Sequence, residues 1–204
     1  MGQSAFTVLY DANVLYPAPL RNFLMHLALT GVYRAHWSGQ IQEEWKRNLL
    51  INRPELNREQ LNRTSLLMDL ALPDALVIGY EPLIEQVQLP DINDRHVLAA
   101  AIKSNATSII TFNLKDFPSV YLQPYDIEAL HPDDFIVLVW NLNRTAVVEA
   151  ARRQRASLEK PASECARILE HFAGAEAFSN SETAFAIFSH DLMYSFKKFC
   201  LQVN

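Results

Sequence analysis

Residues 6–13 read Phe6-Thr7-Val8-Leu9-Tyr10-Asp11-Ala12-Asn13, a short apolar strand that ends on a carboxylate. Further along the chain, apolar strands alternate with helical patterns, which predicts an α/β domain with a central, mainly parallel sheet. Asp11 should therefore lie at the carboxyl edge of that sheet, where open α/β folds carry their binding sites. The alternative for an aspartate directly after a strand is a turn-forming role.

Composition and charge limit the classes of function. Half of the 204 residues are hydrophobic, enough to bury a full core, and no apolar run reaches the roughly 18 residues of a membrane-spanning helix. We therefore expect a cytoplasmic protein. A formal net charge of −5 argues against a broad basic surface for nucleic acid, but it allows a nuclease whose acidic pocket holds cations. The five glycines are spread singly, which disfavours a glycine-rich phosphate loop.

Apolar periodicity and its interruptions by glycine and proline predict the order of the elements. Strands are expected at 6–10, 32–37, 75–78, 108–112 and 126–130, and helices at 20–30, 40–50, 57–70 and 90–104. After residues 141–144 the pattern becomes entirely helical. We expect a catalytic domain of residues 1–140 followed by a C-terminal helical extension of residues 141–204.

A pair of glutamates lies early in the helix predicted at 40–50. Helical geometry places Glu44 on the same side as Ile41 and Asn48, whereas Glu43 points to solvent. Glu44 is therefore the candidate site residue. A solvated glutamate pair that suits the helix dipole explains the same pattern equally well.

A second acidic pair opens the helix predicted at 90–104. Asp94 shares an apolar stripe with Val97, Leu98 and Ala101, so its carboxylate is expected to face the interior. A carboxylate there is costly without a partner, which suggests a functional role. Asp91 has the weaker claim, because a residue just before a helix is usually an N-cap.

Polar residues also follow the strand predicted at 108–112. Asp116 lies a few residues beyond it and could reach the same sheet edge as Asp11. Asn113 follows the strand directly and could hydrogen-bond a water molecule at the site. Asn13 is expected to order its loop through side-chain hydrogen bonds to the backbone.

Taken together, four segments resemble the acidic motifs of PIN-domain ribonucleases, and most of all the VapC-type toxins of bacterial toxin–antitoxin modules. The segments are YDANVL (10–15), SGQIQEE (38–44), DRHVLAAA (94–101) and IITFNLKDF (109–117). The resemblance covers residues 1 to about 140. It implies a three-layer α/β/α sandwich that binds Mg²⁺ or Mn²⁺ and cleaves RNA phosphodiester bonds. Asn113 stands where many family members carry aspartate, so either Asn113 or Asp116 is the fourth site residue.

The resemblance, together with the ligand chemistry of hard divalent cations, assigns roles to individual residues. The expected catalytic residues are Asp11, Glu44, Asp94 and Asp116, of which Asp11, Asp94 and Asp116 are the metal ligands. The expected supporting residues are Asn13, Ser38, Asp91, Thr111 and Asn113. Candidates for contact with substrate phosphates are Arg47, Arg95 and Lys115, together with Lys46, although a solvated charge is the plainer interpretation of each.

The C-terminal segment carries a stripe of large apolar residues at helical spacing: Phe178, Phe185, Phe188, Leu192, Phe196 and Phe199. Packing against the catalytic domain is one interpretation. The other is a docking surface for a second copy or for an antitoxin. Beside RNA, the expected partners are therefore a cognate antitoxin and a possible homodimer mate, and no membrane.

Two other functions remain open from sequence. A haloacid-dehalogenase-like phosphatase also begins with an aspartate at a strand end, but its mechanism needs a second acid two residues later, where this chain has Asn13. A non-catalytic PIN-like binding module would keep the fold and lose acids. Because acids are retained in all four segments, the sequence favours an active enzyme.

Overall fold

The computed structural model of the protein describes residues 6–157. Its strands are β1 (Thr7–Tyr10), β2 (Arg34–Ser38), β3 (Leu76–Val77), β4 (Ser108–Ile110) and β5 (Glu128–Leu130). Its α-helices are α1 (Ala12–Leu15), α2 (Ala18–Ala28), α3 (Gly39–Asn52), α4 (Arg58–Ala71), α5 (Glu81–Ile84), α6 (Arg95–Lys103), α7 (Ser119–Leu122), α8 (Pro132–Leu142) and α9 (Arg144–Ser157).

The five strands form one parallel sheet in the order β3-β2-β1-β4-β5. In the centre, Leu9 lies opposite His36 on one side and Ile109 on the other. Helix α6 packs against β1, β2 and β4, α3 packs against α1 and α4, and α9 packs against α2 and α8. The prediction of a three-layer α/β/α sandwich with a parallel sheet and C-terminal helices is confirmed.

Sheet topology fixes where a site can form. From β1 the chain moves outward through β2 to β3, then crosses back to β4 on the opposite side of β1. The carboxyl ends of β1 and β4 therefore flank a topological switch point, the usual position of binding crevices in open α/β sheets. The backbone N–H of Asp11 donates to the carbonyl of Ile110 over 3.1 Å, so the ends of the two strands are joined.

Helix α8 is held to the sheet by aromatic packing. The Phe135 ring meets the Tyr33 ring edge-on, with 4.9 Å between centroids, and the hydroxyl oxygens of Tyr33 and Tyr10 lie 2.6 Å apart. Helix α9 packs along α2, where the side chain of Gln154 donates to the Pro19 carbonyl over 2.8 Å. The start of the extension thus lies against the catalytic core, and the boundary at residue 140 stays a prediction. The aromatic stripe beyond residue 177 lies outside the described residues.

Two differences between the predicted and observed elements have a local cause. The helix predicted at 90–104 begins only at Arg95, because the Asp91 side chain accepts the backbone N–H of Asn93 over 2.8 Å and stabilises a 3₁₀ turn over Ile92–Asp94. The prediction of Asp94 inside the helix is therefore wrong: it is the N-cap residue of α6. The four-residue helices α1, α5 and α7 were not predicted, since a single turn shows no periodicity. Across residues 6–157, no helix is long and apolar enough to span a membrane.

Candidate active site

Asp11 is the buried centre of the site. It follows β1 and is the N-cap residue of α1, with its Oδ1 accepting the backbone N–H of Ala12 over 2.6 Å. Its Oδ2 accepts the Asn13 side-chain amide and the Thr111 hydroxyl, each over 2.7 Å. An ionised carboxylate has about four acceptor positions, so these three donors leave one position, on Oδ1, open to a further ligand. Both predicted roles, turn former and site residue, are compatible with this geometry.

Thr111 ties the ends of the two central strands together. Besides donating to Asp11, its fully buried hydroxyl oxygen accepts the Asn13 amide over 2.9 Å and the backbone N–H of Asn113 over 3.0 Å. The Asn13 carbonyl oxygen accepts the backbone N–H of Phe112 over 3.1 Å. The predicted side-chain-to-backbone bond of Asn13 therefore exists, but it orders the loop after β4 and not its own loop.

Asp94 lies at the start of α6 and is half-buried. The pKa of its carboxyl is raised from 3.8 to about 7, first by burial and then by the charges of Asp11, Asp91, Asp116 and Glu44. No hydrogen-bond donor contacts its carboxylate within residues 6–157. Acids from all four predicted segments are thus close enough to one another for their charges to affect the pKa of Asp94.

The pKa of Asp11 is raised too, to about 6, chiefly by burial. The Thr111 hydroxyl bond opposes this rise, the Glu44 charge adds to it, and the backbone N–H of Ala12 lowers the pKa, as does the His96 ring in its protonated form. Two carboxyl groups with raised pKa values at one sheet edge are typical of a functional site, since neither burial nor like charge stabilises the fold.

The two glutamates of α3 point in different directions, as expected from helical geometry. The Glu44 side chain is 29% exposed, and its Oε2 lies 3.3 Å from Nε2 of the buried His96. Glu43 is exposed and forms ion pairs with Lys46, at 2.5 Å, and Arg58, at 2.6 Å. Glu44 alone of the pair therefore faces the acidic cluster.

Lys46, a further candidate for phosphate contact, is engaged with other side chains in the fold. Its side chain is buried, and Nζ donates to the Asn62 side-chain carbonyl over 3.0 Å and lies 3.4 Å from the Ser65 hydroxyl, both on α4. The polar inner face of α4 thus withdraws this ammonium group from the site. Arg47 and Lys115 are exposed and Arg95 is half-buried, and none of the three forms an ion pair in the described part of the chain.

The remaining predicted residues lie around this cluster. Asp116 ends a 3₁₀ turn over Leu114–Asp116, and its carboxylate accepts the Asn113 side-chain amide, so the two candidates for fourth site residue form a pair. Asp91 is exposed and its carboxylate is engaged in the turn that precedes Asp94. Ser38 is fully buried, and its hydroxyl caps α3 by accepting the Ile41 N–H over 3.2 Å.

The donor set fits a hydrated divalent cation better than a closed protein cage. Within residues 6–157, no three His, Cys, Asp or Glu side chains converge as a ready-made ligand group. Mg²⁺, however, usually takes one or two carboxylates and keeps several waters. The open acceptor position of Asp11 and the unbonded carboxylate of Asp94 suit this coordination. The assignment of individual ligands stays a prediction.

His96 is the site residue that sequence analysis missed. It is buried on α6, two residues after Asp94, and its ring lies against Glu44. The signal in the sequence was a titratable side chain within the apolar run of residues 96–102, which reads equally as a core histidine.

Comparison with known proteins agrees with this geometry. The family model of the PIN domain matches residues 7–115, more than half of the chain, and the model described as VapC50 C-terminal domain matches residues 132–178. The chain is 50% identical over 66 residues to "Putative ribonuclease VapC50" of Mycobacterium tuberculosis (strain ATCC 25618 / H37Rv). That match covers 32% of this chain and 38% of the relative, well under two thirds of its length. No solved structure matches.

The haloacid-dehalogenase alternative is wrong on two grounds. The Asn13 amide donates to Asp11, so the position where that mechanism needs an acid holds a hydrogen-bond donor instead. The family model that matches residues 7–115 is that of the PIN domain, which is not a haloacid-dehalogenase domain. By the extent of the PIN-domain match and the topology of its sheet, the chain belongs to the PIN-domain family.

Proposed function

We propose that the protein is a metal-dependent endoribonuclease and the toxin of a bacterial toxin–antitoxin module. The observation that carries this proposal is the convergence of charge at the switch point between β1 and β4. There the carboxyl of Asp94 interacts electrostatically with neighbouring Asp91 and with three acids from distant parts of the chain, Asp11, Glu44 and Asp116. Such a cluster costs stability, and a bound divalent cation would compensate that cost.

In this proposal Asp11 and Asp94 hold a Mg²⁺ or Mn²⁺ ion, directly or through water, and Asp116 contributes to its binding. The bound ion would supply a water of lowered pKa and neutralise charge on the phosphate. Glu44 and Asp116 orient water molecules beside the scissile bond. Support comes from the free acceptor capacity of Asp11 and Asp94.

Substrate phosphates require cations that protein acids do not already neutralise. Arg47, one turn from Glu44 on α3, Arg95, next to Asp94, and Lys115, in the turn that ends at Asp116, meet that condition within residues 6–157. Because the chain as a whole is acidic, RNA contacts should be confined to this rim. We therefore propose that these three side chains bind RNA phosphates around the scissile position.

Cleavage of RNA tests the enzymatic part. The purified chain should cut single-stranded or structured RNA in Mg²⁺ or Mn²⁺ and not in EDTA. Asp94→Asn should lower the rate by at least about 100-fold, because loss of a group that only supports a metal ligand already costs about 10- to 100-fold. Exposed Glu85 offers a matched control, because Glu85→Gln removes the same charge elsewhere on the surface. Cleavage that persists in EDTA, or an Asp94→Asn protein with full activity, would contradict the proposal.

A non-catalytic RNA- or protein-binding module is the second candidate. The observation that favours it is that no three potential ligand side chains converge within the described residues. The two functions differ in a simple way. A binding module would retain RNA or protein with equal affinity in Mg²⁺ and in EDTA and would leave the RNA intact.

The toxin role is supported by similarity to a VapC protein and is tested in cells. Expression of the wild-type chain in a bacterial host should arrest growth, whereas Asp94→Asn should not. Co-expression of the product of an adjacent small open reading frame, the cognate antitoxin, should restore growth and co-purify with the chain. Arrest by the Asp94→Asn protein would show that toxicity does not depend on this site.

A further inference from the structure

His96 occupies a buried position beside the acidic cluster. It lies on α6 and is 4% exposed, and its Nε2 lies 3.3 Å from Oε2 of Glu44 on α3. Its Nδ1 is also buried, and it contacts no hydrogen-bond partner in the described part of the chain. Among the ion pairs of residues 6–157, the ring takes part in one, with the Glu44 carboxylate, and Asp11 also lies close enough to interact with it electrostatically.

This surrounding determines where a neutral ring carries its hydrogen. Neutral imidazole has one N–H donor and one nitrogen acceptor. A hydrogen on Nδ1 would be a buried donor without an acceptor, which is costly. Nε2 would then carry a lone pair beside the Glu44 carboxylate, and two acceptors repel each other. A hydrogen on Nε2 lies on the nitrogen that is 3.3 Å from Oε2 of Glu44, so the Nε2–H tautomer is the favoured one.

The Glu44 side chain needs a hydrogen-bond donor to hold its carboxylate in one orientation. Its side chain has three rotatable bonds and is 29% exposed, so holding it toward buried acids costs conformational entropy. Within residues 6–157, the His96 contact is the one ion pair of its carboxylate, whereas Glu43 is held by Lys46 and Arg58.

We propose that His96 is a positioning residue whose Nε2–H holds the Glu44 carboxylate toward Asp11 and Asp94. The consequence for catalysis rests on the proposed nuclease function. The contact itself does not, because it is a property of the metal-free fold. Nothing in this role requires His96 to touch RNA.

Three substitutions separate positioning from simple core packing. His96→Gln keeps an amide N–H near the position of Nε2, His96→Asn places its amide near that of Nδ1, and His96→Leu has no donor. We expect kcat for RNA cleavage to fall about 10- to 100-fold in the Leu and Asn variants, with KM unchanged, and to stay within a few-fold of wild type in the Gln variant. Equal activity of the Gln and Asn variants would overturn the positioning role.

A double-mutant cycle with Glu44→Gln tests whether His96 acts through Glu44. If it does, His96→Leu should cost nothing further in the Glu44→Gln background. If the losses in kcat of the two single variants multiply in the double variant, His96 acts independently of Glu44 and its role is structural. Should the Leu variant fail to fold, the Gln and Asn variants in the same cycle give the answer.

One measurement is independent of activity and so separates this inference from the proposed function. Long-range ¹H–¹⁵N NMR of the metal-free wild type should show His96 as the Nε2–H tautomer, and Glu44→Leu should alter its ring ¹⁵N shifts. If the wild type cleaves no RNA but these signals appear, the nuclease proposal fails and the contact stands. An Nδ1–H tautomer, or ring shifts insensitive to Glu44→Leu, would overturn the contact.

Discussion

Removal of the Asp94 charge should stabilise the metal-free protein, although it inactivates the site. Asp94→Asn keeps the shape of the side chain and breaks no hydrogen bond, since no donor within residues 6–157 contacts that carboxylate. The rise in its pKa from 3.8 to about 7 would correspond to ~4 kcal/mol without solvent screening. Because the group is only half-buried, we expect about 1–2 kcal/mol, or roughly 2–8 °C in Tm.

The pH dependence has a defined sign. The folded pKa lies above the unfolded value, so between pH 3.8 and about 7 the native state binds more protons than the unfolded state. Stability of the wild type therefore falls as pH rises through this window, and the penalty from Asp94 is complete above about pH 7. Asp94→Asn should match the wild type near pH 4 and exceed it at pH 8.

Urea unfolding in EDTA at pH 4, 6 and 8 measures this difference. The control is Glu85→Gln, which should leave stability unchanged at each pH. Glu85 is an exposed acid at the C-terminal end of α5. Mg²⁺ should then stabilise the wild type more than Asp94→Asn, because ligand that binds the native state adds stability by mass action. Equal stability of the two proteins at pH 8, or a gain that persists at pH 4, would refute the reasoning.

Three further predictions concern other parts of the molecule. Thr111→Val removes the hydroxyl that links the two central strands, so it should lower the free energy of unfolding measured in urea by about 1–3 kcal/mol. It should also raise the pKa of Asp11, measured by NMR titration, because the Thr111 bond lowers that pKa. An unchanged pKa would contradict the assigned hydrogen bond. Glu44→Gln should reduce the Mg²⁺-induced rise in Tm, whereas Glu43→Gln should leave that rise intact. Glu43→Gln should lower the free energy of unfolding by at most about 1 kcal/mol, through loss of its exposed ion pairs. Equal effects of the two variants on the Mg²⁺-induced rise would place the site elsewhere. Phe188→Asp should leave the protein folded and active but abolish subunit or antitoxin association by light scattering and pull-down, and an insoluble variant would identify the stripe as core.

The strongest local signals predicted the architecture and the sheet edge of the site. Asp11 was predictable because an apolar strand followed directly by an acid marks the carboxyl end of a parallel strand, and Asn113 follows the strand predicted at 108–112 in the same way. Glu44 and Glu43 were separable because helical geometry alone decides which one faces inward.

The parts that sequence did not predict depend on contacts between distant segments. Lys46 reads as a solvated charge, and only the packing of α4 brings Asn62 and Ser65 to its ammonium group. Asp94 was placed inside a helix because the competing turn at Asp91 differs from a helical start by one side-chain bond. His96 lies on an apolar face, and its neighbour Glu44 is 52 positions away.

The location of a bound cation tests the central claim most directly. Crystals of the protein soaked in Mn²⁺ should give an anomalous difference peak at the carboxyl ends of β1 and β4. We predict that the ion lies about 2.0–2.6 Å from an oxygen of Asp11 or Asp94, or is joined to it by one water, and that Asp94→Asn crystals lose the peak. A preparation that cleaves RNA while its Mn²⁺ peak lies away from Asp11 and Asp94 would contradict the account.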